Sequence, residues 1–294
     1  MAIGLLGATG LVGGGVGAAL QGPVIALGRG VSAERSLDLA NVESMTSSVW
    51  ADIDCLVHCA GVTDEEVQAD AEAAYHRASY AMTRLVDSAH RAGVTRFVYV
   101  SSAHVYGPLE GRIDETKPVD PRTDYAIAHS ASEQIFRRAA LRDGVEALIV
   151  RPCAVYGFPS NLARFRRFGL IPFGFPKMAA EQGRIALRSR GDQVRNFVST
   201  AMIGRRIAAF LSGASEAGRC LVENALGPDD LSVVDFANLC CERYRQLTGA
   251  ACKVTQGEGE AAAKPFFYCS LRDNRDKPSE LVPFLDEIIT RLRS

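Results

Sequence analysis

Short apolar runs recur along the first half of the chain, each followed by a longer stretch with helical spacing of apolar and polar positions. Ile3–Leu6 is the first run, and it leads through glycine-rich turns into a small-residue helix reaching about Leu20. Val24–Leu27 predicts a second strand. Cys55–Cys59 predicts a third, after the polar turn Ala51-Asp52-Ile53-Asp54. Glu65–Ala92 predicts one long helix closed by Gly93, because glycine readily takes the left-handed conformation that ends helices. Arg96–Ser101 predicts a fourth strand, Tyr125–Asp143 a helix closed by Gly144, and Ala147–Val150 a fifth strand. Runs this short and this apolar suit strands covered on both faces. Strand, helix, strand at such spacing implies right-handed crossovers, hence an α/β fold with a doubly wound parallel sheet.

The pattern changes after Gly157. Residues 158–176 are rich in Phe, Arg, Gly and Pro and show no clear period. Short strands are predicted at Arg184–Leu187 and Phe197–Val198, and helices at about Ala201–Leu211, Val233–Gln246 and Glu280–Arg293. We expect residues 1–157 to form one domain and 158–294 a smaller, irregular part that carries substrate specificity, with some segments returning to the first domain.

Composition narrows the function. The chain has 294 residues, long enough to bury a large core. Its 33 basic residues balance 34 acidic ones, which leaves no cationic surface for nucleic acid. A local exception is the arginine-rich stretch Arg164, Arg166, Arg167, Arg184, Arg188, Arg190 and Arg195, either a solvated surface or a pocket for a phosphorylated ligand. The eight cysteines form no C-x-x-C pair, so no zinc site is expected, and free thiols point to a reducing cytoplasm. The first residues lack the basic segment of a signal peptide. No run of about 20 apolar residues is free of charges and turns, so no membrane span is expected.

Candidate chemistry starts at the end of the first strand, with Gly7-Ala8-Thr9-Gly10-Leu11-Val12-Gly13. Glycines at this spacing allow a tight turn, backbone approach to a pyrophosphate and close helix–strand packing. The helix that follows presents free N–H groups and a positive dipole to phosphates. A glycine-rich turn without a ligand is the alternative. An acidic residue ending the second strand would hold both ribose hydroxyls of NAD; this chain has Gly28-Arg29. A guanidinium there can pair with a 2′-phosphate, which favours NADP over NAD, unless Arg29 is only a solvated loop residue.

Taken together, these residues resemble the extended short-chain dehydrogenase/reductases, the NAD-dependent epimerase/dehydratase family acting on nucleotide sugars. The glycine loop is similar. Asp38-Leu39 resembles the pair at the adenine, and His58-Cys59-Ala60-Gly61 the third-strand motif along the cofactor. The stretch from Arg91 to Gly107, with Val100-Ser101-Ser102-Ala103-His104-Val105-Tyr106-Gly107, resembles the fourth-strand region. Arg151-Pro152-Cys153-Ala154-Val155-Tyr156-Gly157 resembles Arg-Pro-x-Asn-Val-Tyr-Gly, and Gly191-Asp192-Gln193-Val194-Arg195-Asn196-Phe197-Val198 resembles Gly-x-Gln-x-Arg-Asp-Phe-Val. The likeness runs from about Ile3 to Phe210.

The resemblance implies a Rossmann-type fold and a mechanism. A tyrosine exchanges a proton with a sugar oxygen while the nicotinamide exchanges a hydride at the same carbon. A Ser or Thr holds that oxygen. A lysine four residues after the tyrosine lowers the phenol pKa and holds the nicotinamide ribose. Here Ser102 and Tyr125 match, and the lysine position is His129, whose ordinary pKa of about 6.5 leaves it only partly charged. The implied cofactor contacts are Gly7, Thr9, Gly10, Leu11, Val12, Gly13, Arg29, Asp38, Leu39, Cys59, Ala60, Gly61, Tyr125, His129 and Pro152. Ser102, His104 and Arg195 are the implied substrate contacts, Arg195 at the nucleotide phosphates. The motif Asn is Ala154, and the Asn early in the long helix falls at Ala78. Ala103-His104 replaces the Asp-Glu pair of dehydratases, which disfavours dehydration.

The expected function is an NAD(P)-dependent 4-ketoreductase or epimerase of a nucleotide-diphosphate sugar. The alternative is an NAD(P)-binding protein with weakened or lost catalysis. No metal is expected. The resemblance implies a homodimer packed through the helices 65–92 and 125–143, where Ala73, Ala74, Ala78 and Ala81 would allow close approach.

Overall fold

A computed structural model describes residues 1–258, 264–272 and 278–293. β1 (Ile3–Leu6) leads into α1 (Leu11–Ala19), and β2 (Val24–Gly28) into the two-residue β3 (Arg35–Ser36). β4 (Cys55–His58) is followed by α2 (Asp64–Ala69), α3 (Ala71–His76), a π-helical turn at Arg77–Ala81, and α4 (Met82–Arg91). Then come β5 (Arg96–Val100), β6 (Gly111–Ile113), α5 (Asp124–Asp143), β7 (Glu146–Pro152) and β8 (Ala154–Tyr156). The rest comprises α6 (Ile171–Gln182), β9 (Arg184–Ala186), β10 (Val194–Ser199), α7 (Thr200–Ser212) and β11 (Cys220–Ala225), then β12 (Asp229–Ser232), α8 (Val233–Thr248), β13 (Lys253–Thr255), β14 (Phe266–Tyr268) and α9 (Leu281–Arg293).

Seven parallel strands form the main sheet in the order β11-β7-β5-β4-β1-β2-β3. The chain winds outward from β1 through β2 and β3, then returns to lay β4 on the other side of β1. That reversal opens a crevice beyond the carboxyl ends of β1 and β4, the usual ligand position in such sheets. One face packs Phe97, Leu56 and Ile149 against Leu85, Val86 and Phe136; the other packs Val57, Val98 and Leu148 against Val16, Met202 and Ile203. β8, β10 and β12 make a separate three-stranded sheet, and a third core around Phe173, Phe197, Phe236 and Phe284 lies among the later helices. Residues beyond 157 do not stay apart. α7 packs against α1, and β11 extends the main sheet beyond β7.

Two buried charge clusters tie the layers. At the sheet's amino edge, Arg96 and Arg219 share Glu146, and Arg96 also bonds the Phe210 and Leu211 carbonyls at the end of α7. Near the carboxyl edge, Glu133 on α5 takes Arg151 at 2.9 and 2.5 Å and Ser101 at 2.6 Å. Removing one partner of such a buried pair would strand a charge, so α5 is fixed against β5 and β7.

Three expectations change. The single helix 65–92 is interrupted at Asp70, which adopts extended backbone and caps α3 by accepting from the Ala73 N–H. Helix α6 lies inside the stretch that shows no period, because Pro172, Gly174 and Pro176 mask it. Pro172 falls in the first turn, where its missing N–H costs nothing, and Gly174 gives the Phe168 carbonyl room. The cysteines are not all free: Cys241 at the end of α8 and Cys252 ahead of β13 form a disulfide, with Cα atoms 5.1 Å apart.

Candidate functional site

The crevice at the sheet reversal is a cavity of about 1120 Å³. Each glycine of its first loop is there for a separate reason. Gly7 has φ +89°, and a Cβ on it would meet the Ala60 backbone N at 2.9 Å. A Cβ on Gly13 would run into the Gly7 carbonyl oxygen, so α1 could not start so close to β1. Gly10 caps α1 with extended backbone and no side-chain bond, leaving the helix's first N–H groups facing the cavity. Thr9, Leu11 and Val12 line the same wall.

At one end stand Arg29, Asp38 and Leu39. Arg29 is mostly exposed, and its Nε lies 3.9 Å from Asp38 Oδ1. Asp38 is held in a turn, accepting from the Ala40 N–H while its own N–H bonds Ser44. The floor is the turn after β4, with Cys59, Ala60 and Gly61. His58 fixes that turn: its Nδ1 accepts from the Ala60 N–H at 3.1 Å. The proton is therefore on Nε2, which is buried with no hydrogen-bond partner among the described residues. Burial, ahead of the field of Arg77, lowers the His58 pKa to about 3.

Ser102, His104, Tyr125, His129, Pro152 and Arg195 gather at the other end. Ser102 caps the short turn after β5, accepting from the His104 N–H. Tyr125 opens α5, just past the Thr123 cap, and its ring meets His104 edge-on at 6.0 Å and His129 at 4.5 Å. Burial raises the Tyr125 pKa, while the bonded Ser102 hydroxyl and the Arg167 guanidinium pull it down. Arg195 reaches the cavity from β10 and, after burial, is the second cause holding His104 below its ordinary value.

His129 differs from the expectation. Its Nε2 lies 3.1 Å from the Val62 carbonyl and its Nδ1 2.7 Å from the Tyr99 hydroxyl. A carbonyl only accepts, so Nε2 carries the proton and Nδ1 accepts from Tyr99. Burial lowers its pKa to about 4, so the ring is neutral at pH 7. Both ring nitrogens are committed inside the protein, and in this arrangement neither is left for a ribose hydroxyl. Gly61 makes room for the ring, since a Cβ there would meet His129 Cε1 at 2.7 Å. Ala78 lies in the π turn, where its carbonyl accepts from Ser132 on α5.

Several cleft residues escape the sequence reading. Thr63 and Glu66 form a capping box on α2, legible as Thr-x-x-Glu, and Glu66 takes Arg77 at 2.6 and 2.8 Å. Ser160 bonds the Thr9 carbonyl and Arg167 pairs with Glu65, both from the segment leading into α6. Nothing local in the sequence marks Ser160, whereas Arg167 belongs to the arginine-rich stretch noted in the sequence. Of the arginine-rich stretch, Arg166, Arg167 and Arg195 line the cavity. Among the described residues no acidic, His or Cys cluster could hold a metal, and no helix is long and apolar enough to cross a membrane.

The glycine loop lies at a sheet reversal, with a tyrosine and a serine reaching the same cavity, an arrangement known from α/β proteins that hold dinucleotides beyond the carboxyl ends of their strands. Residues 3–211 match the NAD dependent epimerase/dehydratase family, and the chain belongs to it. Members of that family include nucleotide-sugar epimerases and dehydratases. The mouse dTDP-D-glucose 4,6-dehydratase is 29% identical over 157 residues, 52% of this chain and 41% of that protein; the match thus spans less than half of that relative's length. The UDP-glucuronic acid 4-epimerase of Bacillus cereus, solved with UDP-glucuronic acid and NAD, superposes with a TM-score of 0.80 at 17% identity, over 99% of this chain and 100% of that one. RMD from Pseudomonas aeruginosa, solved with NADPH, gives 0.76 at 18% identity, over 99% and 98%. These two likenesses concern the fold.

Proposed function

We propose that the protein is an NAD(P)-dependent reductase of nucleotide-linked ketosugars, with 4-ketosugars as the substrate class. One observation carries this reading: Tyr125 faces the cavity beside a histidine that is neutral and fully hydrogen-bonded. A phenol without a neighbouring ammonium stays protonated near neutral pH. Donating that proton to a newly formed alkoxide is therefore easier than removing one from an alcohol, which favours reduction over the oxidative first step of an epimerase.

The glycine loop and the start of α1 fit a pyrophosphate, Asp38 and Leu39 flank the adenine end, and Cys59, Ala60, Gly61 and Pro152 line the nicotinamide end. The bound nicotinamide would supply a hydride. Tyr125 gives its proton to the sugar oxygen, Ser102 holds that oxygen, and Arg195 meets the nucleotide phosphates. His104 borders the sugar. His129 acts by fixing the Tyr125 helix turn rather than by touching ribose. A cavity of about 1120 Å³ exceeds the usual range for one small ligand, in keeping with two. We take NADP as the preferred cofactor because of Arg29, and a homodimer as the working form.

The test is NADPH oxidation in the presence of nucleotide-diphosphate 4-ketosugars. Wild type should turn over, and Tyr125→Phe should abolish turnover while cofactor affinity stays within a few fold. Unchanged activity in Tyr125→Phe would remove Tyr125 from the chemistry. The engaged His129 ring also favours a second reading, a cofactor-binding protein without turnover; normal NADPH binding with no reduction of any ketosugar would support it.

A further inference from the structure

Strand β13 has few supports. It is three residues long and pairs with one neighbour, β9, from Lys253↔Arg184 to Thr255↔Ala186. Two strands of that length do not hold together alone in water. The contact continues past the strand: Leu187 donates to the Thr255 carbonyl at 2.8 Å, Gly257 to the Ser189 carbonyl at 3.2 Å, and Gln256 Nε2 to the Arg190 carbonyl at 2.6 Å. Just before β13, the Cys241–Cys252 disulfide ties the chain to α8. The other six cysteines are free thiols, so this bridge is a single local fastening and not part of a disulfide scaffold.

What β13 braces belongs to the cleft. β9 directly follows α6, and Leu170, Ile171 and Pro172 at the start of α6 line the cavity. Residues 187–190, bonded by 255–257, lead into β10 and so to Arg195, which lines it too. Cys241 and Cys252 lie in the same core as Phe165 and Phe173. The glycine loop, in contrast, extends from β1 of the main sheet. The bridge therefore supports the cavity wall contributed beyond residue 157 and leaves the glycine-loop wall to the main sheet.

We propose that the Cys241–Cys252 bridge is a redox-operated fastener of the substrate side: closed, it keeps β13 on β9 and the wall in place; opened by a dithiol, it loosens that wall and weakens nucleotide-diphosphate binding while cofactor binding persists. This rests on reading the Arg195 end as the substrate side. Cys252 is within reach of a reductant, since its neighbours Ala251 and Lys253 are exposed and the Lys253 ammonium attracts a thiolate. The reductant's thiolate attacks the Cys252 sulfur, and Cys241 leaves as a thiolate and takes up a proton. The second thiol of the reductant then displaces Cys252, which takes up another proton. Two electrons pass to the bridge, and the dithiol departs as a disulfide.

The test compares the full chain before and after dithiothreitol, with alkylation and mass spectrometry reporting the state of Cys241 and Cys252. Reduction should speed backbone amide exchange in 184–190 and 253–257 by about tenfold or more, while Ile3–Leu6 and Cys55–His58 keep their rates. Binding of UDP or dTDP, followed by calorimetry, should weaken about fivefold or more, the low end of ordinary coupling between two sites, and NADPH binding should hold. Cys252→Ser should behave as the reduced chain with or without dithiothreitol, and Cys269→Ser should respond as the wild type does. Cys241→Ala makes the same break from the α8 side should Cys252→Ser fail to fold, which circular dichroism would reveal. Unmoved exchange after both thiols are free overturns the proposal, as does a bridge that opens only on unfolding, an equal loss of NADPH binding, or a nucleoside diphosphate bound equally in the two states. Faster exchange with UDP and dTDP bound in neither state would sink the substrate-side reading alone; unmoved exchange with one of them bound would sink the fastener alone.

Discussion

His58 and His129 are two imidazoles that the folded chain keeps uncharged, and that has a consequence in acid. In the unfolded chain each takes up a proton near pH 6.5; folded, His129 does so near 4 and His58 near 3. Their contribution to stability is complete above pH 6.5 and is lost as pH falls from there toward 4, by up to about 1.4 kcal/mol per pH unit for each ring. Urea unfolding at about pH 7 and pH 5 should show the loss, and His129→Gln should shrink it by about 2 kcal/mol. An undiminished loss would mean that His129 protonates in the folded state. Arg29 carries a second prediction at this scale. A charge-assisted bond to a 2′-phosphate contributes about 1.5–3 kcal/mol, so NADPH should bind about tenfold or more tighter than NADH, and Arg29→Ala should remove most of the difference. Asp38, 3.9 Å away, competes for the same guanidinium. Equal affinities in the wild type would dismiss the preference.

The first βα unit offers the sharpest test among the elements. In Gly13→Ala the new methyl collides with the Gly7 carbonyl oxygen, so α1 must shift and its N–H groups lose their aim. Cofactor affinity should fall at least tenfold by fluorescence titration while far-UV circular dichroism stays unchanged; unaltered affinity would detach the loop from the cofactor site. This unit was legible in the sequence because all its determinants are local: an apolar strand, then glycines at fixed offsets. Tyr125 and Ser102 were singled out only by resemblance to family motifs, and the structure brings both to the cavity. The state of His129 was not legible, because its partners Val62 and Tyr99 come from a loop and a strand far off in sequence. Helix α6 was hidden by its own prolines. The break at Asp70 was hidden because a side-chain cap inside an otherwise periodic run leaves the period intact.

For the whole molecule, the association surface needs revision. Of the four alanines, Ala74, Ala78 and Ala81 are buried within the chain, Ala74 and Ala78 in one cluster with Val62 and Ala128, and so are not offered to a second subunit, while Ala73 is exposed. Outward-facing apolar groups near them are Tyr80 on the π turn and Ile127 and Leu141 on α5. The last two are 14 residues apart, four helical turns, and so share a side of α5. A symmetric contact through this side would make the expected homodimer. Light scattering at micromolar concentration should give twice the chain mass, with Leu141→Glu shifting it toward the monomer; a monomeric wild type would refute it.

The return of the chain to lay β11 beside β7 also sets an order of events during synthesis. β7 is buried along its whole length, yet its outer neighbour is Cys220–Ala225. Until that segment has left the ribosome, a finished, apolar strand waits with a bare edge while α6 and α7 are being made. Parallel edges of this kind pair slowly and invite foreign strands. The seven-stranded layer, although begun first, is thus among the last parts of the molecule to be sealed, and a nascent chain stalled near residue 200 would present this bare edge to other strands.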